Sequence, residues 1–333
     1  MLEPVRQYAS EKLEESGEAI ATRERHAEHF LALAETAKAF LLGPEHEIWS
    51  GRLEREHDNL REALRWAQDA GDVCGGLRLS AALSWFWWMQ GYLEEGRRWT
   101  EGFLSEPLAD EREKCRFARA EAFYGAGELA FGQGDLDRAS ELFERALALY
   151  RRLDDNGGVA VVLAELGQVV RAQGDHDRAA ALSEEALDLG RSLGDSRIAA
   201  IALSTLGRVE RHRCNLEDAI AGYEESLDLF RGVGHRWGSA YVLAHLAVAT
   251  FDSGDLERAL ALNEESLSIY ADLGDKSGMA LVLINLGDVA REQGDEKRAA
   301  ALYGEALALY RELGNERGTA RALERLPEVT EGI

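Results

Sequence analysis

A repeat with a fixed period of 40 residues restricts the fold of this chain more than any other feature. From Glu121 onward, five successive rows of 40 residues align without an insertion or deletion. Small residues keep their register in two glycine-rich columns, Gly127, Gly167, Gly207, Ala247, Gly287 and Gly134, Gly174, Cys214, Gly254, Gly294. Two further columns hold small residues, Ala139, Ala179, Ala219, Ala259, Ala299 and Ala146, Ala186, Ser226, Ser266, Ala306. Self-similarity of this length is the signature of stacked structural repeats.

Each row carries two apolar stretches with helical spacing. In the second row, apolar residues recur at steps of three and four on both sides of Gly174-Asp175. Glycine suits the left-handed position that ends a helix, and aspartate is a preferred N-cap for the next one. Each row is therefore predicted to be a helical hairpin, which cannot bury both of its apolar stripes alone. We expect an all-α fold, a right-handed alpha-alpha superhelix of stacked antiparallel hairpins.

The regularity of the period divides the chain. Residues 121–320 contain the five regular units, and residues 22–120 contain degenerate hairpins with first helices at about 22–41 and 77–90. Residues 1–21 are predicted to be a linker helix. Residues 321–333 are predicted to be a capping helix, because the sixth row starts in register and then reaches Pro327.

Composition excludes several classes of function. The net charge of −23 argues against binding to nucleic acid or to an anionic membrane through charge. No apolar run is long enough to span a bilayer, and no signal peptide is recognisable. The three cysteines Cys74, Cys115 and Cys214 lack paired spacing, which favours a reducing compartment over a disulfide framework. We therefore expect a cytoplasmic protein.

The segment 166–175, Leu-Gly-Gln-Val-Val-Arg-Ala-Gln-Gly-Asp, resembles a tetratricopeptide repeat. The common form of that repeat has a period of about 34 residues. Here the period is 40, leucine replaces the early aromatic residue, and no proline closes the rows. The resemblance is therefore to a subclass with longer helices, found in bacterial regulators and in some eukaryotic scaffold proteins. It implies a module that binds proteins or peptides.

A narrower resemblance lies in the N-terminal third. Residues 1–13, the segment from Arg25 to Ala34 and residues 56–61 are similar to the region that follows the NTPase domain in bacterial STAND-type transcriptional regulators. This resemblance implies the C-terminal sensor region of such a regulator. The NTPase phosphate-binding motif itself is not in the sequence, since the glycine cluster from Gly232 to Gly238 has no lysine.

The resemblance also implies where a partner would bind, because the first helices of tetratricopeptide hairpins line a concave groove. One groove-facing column reads Phe131, Arg171, Arg211, Phe251, Arg291. Its expected neighbours on the same face are Arg208, His212, His245, Asn285 and Asp288. Arginine pairs carboxylates in a two-pronged geometry, so this pattern favours a protein or peptide partner with an acidic or C-terminal carboxylate segment. The alternative is that the arginines balance local glutamates and the phenylalanines belong to the core.

Other chemistry has weak support in the sequence. His212 and Cys214 are too few ligands to predict a metal site, and no motif predicts a cofactor or a catalytic residue. We expect a protein-binding or peptide-binding scaffold that is not an enzyme, acting as the regulatory sensor of a bacterial transcriptional regulator. The alternatives are a free-standing cytosolic scaffold and, as a different class, an enzyme within the first 120 residues.

Overall fold

The computed structural model describes residues 12, 15–41, 43, 45–108 and 112–326. Within these ranges every regular element is a helix, which confirms the all-α class. The sixteen helices are α1 (Ala19–Lys38), α2 (His46–Arg55), α3 (His57–Asp69), α4 (Val73–Gln90), α5 (Leu93–Ser105), α6 (Glu113–Gly132), α7 (Leu136–Arg152), α8 (Asn156–Ala172), α9 (His176–Leu193), α10 (Ser196–His212), α11 (Leu216–Gly232), α12 (Arg236–Asp252), α13 (Leu256–Leu273), α14 (Lys276–Glu292), α15 (Glu296–Glu312) and α16 (Glu316–Leu323).

The chain forms two compact units, Met1–Val162 and Leu163–Ile333. In unit 1, α4 packs on both α5 and α6, and α6 packs on α7. In unit 2 the hairpin partners are α10 with α11, α12 with α13, and α14 with α15. The second helix of each of the first two hairpins also packs on the first helix of the next one. This sequential packing is that of a solenoid of stacked hairpins, as the repeat predicts.

The turn between the two helices of a hairpin has the predicted geometry, in which a glycine ends the first helix and an aspartate caps the second. Gly174 has φ of 95°, and Asp175 accepts a hydrogen bond from the Arg178 amide at 3.0 Å through its Oδ1. Glycine reaches this left-handed conformation without steric cost, and the aspartate satisfies one of the free amides of the first turn. The same pair of roles recurs at Gly254-Asp255, where Asp255 accepts from the Arg258 amide at 3.0 Å.

Cys214 occupies the glycine position of this turn with φ of 63°. A residue with a Cβ atom is strained there, because Cβ lies too close to the following carbonyl oxygen. We expect Cys214→Gly to raise the free energy of unfolding by about 1 kcal/mol, measured by urea denaturation. Cys214→Ala is the control, since it removes the thiol and keeps the Cβ. Equal gains in both variants would show that the thiol, and not the backbone, carries the effect.

Complementary sizes fill the junctions between hairpins. An aromatic residue near the end of a second helix lies against a glycine near the start of the following first helix; the pairs are Tyr150 with Gly158, Phe230 with Gly238, Tyr270 with Gly278 and Tyr310 with Gly318. In the remaining row the sizes are exchanged, with Gly190 against Ile198. Each junction thus pairs one bulky side chain with one glycine, which keeps the packing dense without overlap.

The expectation that the cysteines are unpaired is wrong for two of them. Cys74 and Cys115 form a disulfide with a Cα–Cα distance of 5.3 Å, and Cys115 is fully buried. The pairing arises because α4 and α6 pack side by side, so residues 41 positions apart meet. Cys214 is exposed and free. Cysteine usage therefore no longer supports a reducing compartment.

The predicted segments at the two ends are only partly described. The linker helix predicted at 1–21 falls largely outside the described residues, and α1 begins at Ala19. Of the capping helix predicted at 321–333, residues 321–323 belong to α16, and Pro327 lies outside the described residues. None of the helices in the described ranges combines the length and the apolar character that a bilayer span requires.

Candidate functional site

The first helices of unit 2 form a surface on which polar side chains bond across neighbouring hairpins. Tyr241 on α12 donates a hydrogen bond to Gln168 Oε1 on α8 at 3.3 Å and accepts one from Arg208 on α10. A direct bond between helices two hairpins apart requires this side of the stack to be concave. Gln168 also donates to Glu165 Oε2 at 2.7 Å, which completes a polar chain across three first helices. We call this side of unit 2 the inner surface.

Arginines dominate the inner surface. Arg171 and Arg208 form no ion pair with any described carboxylate, whereas Arg211 pairs with Asp252 at 2.6 Å. Burial, followed by repulsion from Arg208, lowers the pKa of Arg171 to about 10. The Arg171 Nε atom is buried without a hydrogen-bond partner among the described residues. Two cations thus influence each other without an ion-paired carboxylate among the described residues, which is costly unless an anion joins them.

His245 lies in the field of the same cations. Burial lowers its pKa well below the ordinary value, and Arg208, Arg171, Arg211 and Arg321 lower it further. The imidazole is therefore neutral at physiological pH, with one N–H to donate. Arg321 belongs to α16, so the last described helix also contributes charge to the inner surface.

Glu165 is the acidic group at the α8 end of the polar chain. Burial raises its pKa to about 7, and Arg197 and the bond from Gln168 oppose that rise. Near pH 7 this carboxyl is therefore only partly ionised, so it cancels little of the positive charge on the inner surface.

Tyr223 reaches the inner surface from α11, a second helix. Its ring is fully buried and packs against Gly207. A Cβ atom added at Gly207 would lie 3.0 Å from the Tyr223 ring. Its hydroxyl is buried without a partner among the described residues. Burial raises the pKa of this hydroxyl, while Arg208, Arg211 and Arg171 act in the opposite direction. The Tyr223 ring stacks on that of His245 at a centroid distance of 6.3 Å, so it lies beside the residue on which Arg208, Arg171 and Arg211 act.

The structure brings together four of the residues that the sequence placed in the groove, Arg171, Arg208, Arg211 and His245. Phe131 lies in unit 1 and is half-buried, and Phe251 in unit 2 is also half-buried. Whether these residues bind a partner stays a prediction.

Three other predicted groove residues have partners within the chain. His212, the last residue of α10, is exposed and stacks on His176 with a ring distance of 3.7 Å, because the end of the helix places it at the turn. Asn285 is buried and donates to the Ala244 carbonyl and to Asn263 Oδ1, both at 3.3 Å, so it joins neighbouring helices. Arg291 is exposed and pairs with Asp288 at 3.2 Å.

Tyr223, Tyr241, Gln168, Glu165 and Arg321 were not predicted as site residues. Tyr223 had a recognisable signal, since it occupies the same column as Phe143, Ser183, Asn263 and Tyr303. Three of those positions pack against the first glycine column, Phe143 on Gly127, Ser183 on Gly167 and Tyr303 on Gly287. A tyrosine there brings its hydroxyl towards the first helices.

A cavity of about 500 Å³ lies in unit 1. Three of its five charged lining residues have partners, since Arg78 donates to Glu35 at 2.8 Å and Glu121 accepts from Lys38. Over the described ranges, no three His, Cys, Asp or Glu side chains are grouped so that they could hold a metal ion. The inner surface of unit 2 is therefore the stronger candidate site.

Comparison with known proteins agrees with the repeat pattern. The family model described as "Tetratricopeptide repeat" matches residues 118–192, 197–272 and 238–312. A protein of Mycobacterium tuberculosis that carries the provisional name HTH-type transcriptional regulator is 30% identical over 177 residues, which are 50% of this chain and 19% of that protein. The chain thus matches about a fifth of the length of this relative.

Two solved structures share the fold. One is the Rap conjugation gene regulator of the plasmid pLS20 in complex with the Phr* peptide, at 14% identity and a TM-score of 0.60, covering 89% of this chain and 94% of that one. The other is a signal transduction ATPase with numerous domains and a tetratricopeptide repeat sensor from Pyrococcus horikoshii. It is 17% identical with a TM-score of 0.56, covering 82% of this chain and 42% of that one.

Proposed function

This chain belongs to the tetratricopeptide repeat family of protein-binding and peptide-binding scaffolds, and we propose that it is the sensor region of a bacterial transcriptional regulator. In this proposal the inner surface of unit 2 binds an acidic peptide segment. The role is binding and not catalysis, and the proposed location is the cytoplasm, where such regulators act.

The regulatory part of the proposal is supported by the relative in Mycobacterium tuberculosis and by the sensor-bearing ATPase of the same fold. The peptide part is supported by the regulator of the same fold that is complexed with the Phr* peptide. Because this chain matches only a small part of the mycobacterial protein, the switch that a bound peptide would control belongs to the proposal. A free-standing scaffold is the alternative, and a DNA-binding domain encoded in frame with this segment would exclude it.

One observation carries the assignment of an acidic ligand. Arg171 and Arg208 pair with no carboxylate of the described residues, in a chain whose net charge is −23. Acidic side chains are abundant enough to neutralise any surface arginine, yet neither of these two forms an ion pair with a described residue on this concave, half-buried surface. Guanidinium groups in such a position bind carboxylates through charge-assisted hydrogen bonds. An acidic peptide would supply the missing counter-charge.

The test is binding of a fluorescent acidic peptide measured by anisotropy. Arg171→Gln combined with Arg208→Gln should weaken binding at least tenfold, because each pairing with a charged group contributes about 1.5–3 kcal/mol. Neither substitution strands a carboxylate. In the wild-type protein the affinity should fall as salt rises.

The matched control is Arg191→Gln combined with Arg231→Gln. These arginines lie on second helices and pair with Glu225 at 2.6 Å and Glu265 at 2.5 Å. The control should bind the peptide as the wild type does. Unchanged binding in the Arg171/Arg208 variant, or an equal loss in the control, would contradict the assignment to the inner surface.

A further inference from the structure

Two tyrosines of unit 2, Tyr223 and Tyr303, occupy equivalent positions two repeats apart in the sequence and have opposite surroundings. Tyr303 donates a hydrogen bond to Asp288 Oδ1 at 2.8 Å. Tyr223 lies 80 residues earlier, and the residue 80 positions before Asp288 is Arg208. The fold thus supplies an acceptor to one hydroxyl and a cation to the other. Tyr223 is fully buried, and its hydroxyl has no partner among the described residues.

The groups around the Tyr223 hydroxyl are donors. Arg171 contributes a buried Nε without a partner, and Arg208 contributes a guanidinium whose described hydrogen bond goes to Tyr241. Neutral His245 stands beside Tyr241 at a ring distance of 4.5 Å. The nearby carboxylates are engaged, Asp252 by Arg211 and Glu165 by Gln168. Buried polar groups in folded proteins are nearly always satisfied, so this excess of donors favours a ligand that supplies an acceptor which the described residues do not.

We infer that Arg171, Arg208 and Tyr223 form a binding site for a small oxyanion, a carboxylate or a phosphate group. The two guanidinium groups supply charge and directed N–H donors, and the hydroxyl supplies a donor fixed by its buried ring. Arg211 and Arg321 add positive potential without being required as direct ligands. The inference deepens the proposed function, because the anionic group of the peptide would occupy this site. Free phosphate can also fill the site without any peptide.

The probe is inorganic phosphate, compared with chloride at equal ionic strength in calorimetric titration and thermal unfolding of the whole chain. Phosphate should bind saturably and raise the Tm of the wild type above its value in chloride. Tyr223→Phe should weaken phosphate binding about tenfold. Without phosphate this variant should be at least as stable as the wild type, because the lost hydroxyl has no partner among the described residues.

Tyr303→Phe is the matched control. It should lower stability without ligand, since it breaks the bond to Asp288, and it should keep the phosphate affinity of the wild type. A parallel titration with acetate distinguishes a carboxylate ligand from a phosphate ligand. Stabilisation by acetate identifies a carboxylate site, and stabilisation by phosphate alone identifies a phosphate site. Both outcomes support an oxyanion site.

The inference is overturned if neither anion has an effect beyond chloride, or if Tyr223→Phe keeps the wild-type affinity. These results are separable from the peptide test. Phosphate binding without peptide binding would retain the oxyanion site and reject the peptide proposal. The opposite result is peptide binding that is lost in the Arg171/Arg208 variant and unchanged in Tyr223→Phe, with no effect of either anion. That result would retain the peptide proposal and reject the oxyanion site.

Discussion

Gly278→Ala is expected to lower the free energy of unfolding by about 3 kcal/mol. A Cβ atom at this position would lie 2.4 Å from ring atoms of Tyr270, far inside van der Waals contact. Tyr270 is almost fully buried among Ala240, Val282 and Leu286, so its ring cannot move aside without disturbing the core. Urea denaturation measures the loss, and the midpoint should fall while the slope stays constant.

Gly304→Ala is the control for this substitution. Gly304 lies inside α15, and a Cβ there would meet nothing within 4 Å. The same chemical change should therefore stabilise the protein by about 0.5–1 kcal/mol, because alanine loses less backbone entropy in a helix. If Gly278→Ala and Gly304→Ala changed the free energy of unfolding in the same direction, the explanation by packing would be wrong.

A double mutant tests whether the loss arises from the ring. If Tyr270→Ala is combined with Gly278→Ala, the new methyl group no longer meets the ring. The combined loss should then be smaller than the sum of the single losses by about 1–3 kcal/mol. The exchanged pair Gly190 and Ile198 shows that the fold accepts the bulk on either side of the junction. Additive losses would show that the two side chains do not compete for the same space.

The repeated hairpin was predictable because its signals are local. The turn at Gly174-Asp175 depends on the conformation of two residues, and the helical step of apolar residues sets the buried face. The same step placed Arg171, Arg208 and Arg211 on one side of the first helices. These predictions needed no knowledge of how one hairpin is rotated against the next.

The contacts that were not predicted from the sequence depend on that rotation of one hairpin against the next. The contact between Tyr241 and Gln168 joins residues 73 positions apart and exists only because the stack is concave there. The disulfide between Cys74 and Cys115 depends on α4 lying beside α6, in the region where the period is irregular. Its spacing of 41 residues is close to one repeat, which was the available signal. Local pattern does not fix such contacts.

Lowering the pH from 7.5 to 5 should remove about 2 kcal/mol of stability through His235. His235 stands at an N-cap position where the equivalent residues Asp195 and Asp275 are acidic, and its neutral Nδ1 accepts a hydrogen bond from the Gly238 amide at 2.9 Å. Burial, and then Arg197, lowers the pKa of His235 to about 4 from the ordinary 6.5. The unfolded chain therefore takes up a proton before the folded one as the pH falls. The contribution is complete above pH 6.5 and is lost progressively as the pH falls towards 4.

His235→Asn isolates this contribution, because asparagine caps a helix without titrating. Asn315 does so at the start of α16, where its Oδ1 accepts from the Gly318 amide at 2.8 Å. The quantity to compare is the difference in free energy of unfolding between the two proteins, measured by urea denaturation at each pH. Any packing lost with the imidazole is the same at every pH, and the other titrating groups are common to both proteins. The difference should therefore change by about 2 kcal/mol between pH 7.5 and 5, in favour of the variant at low pH. Parallel profiles would show that protonation of His235 leaves the cap intact.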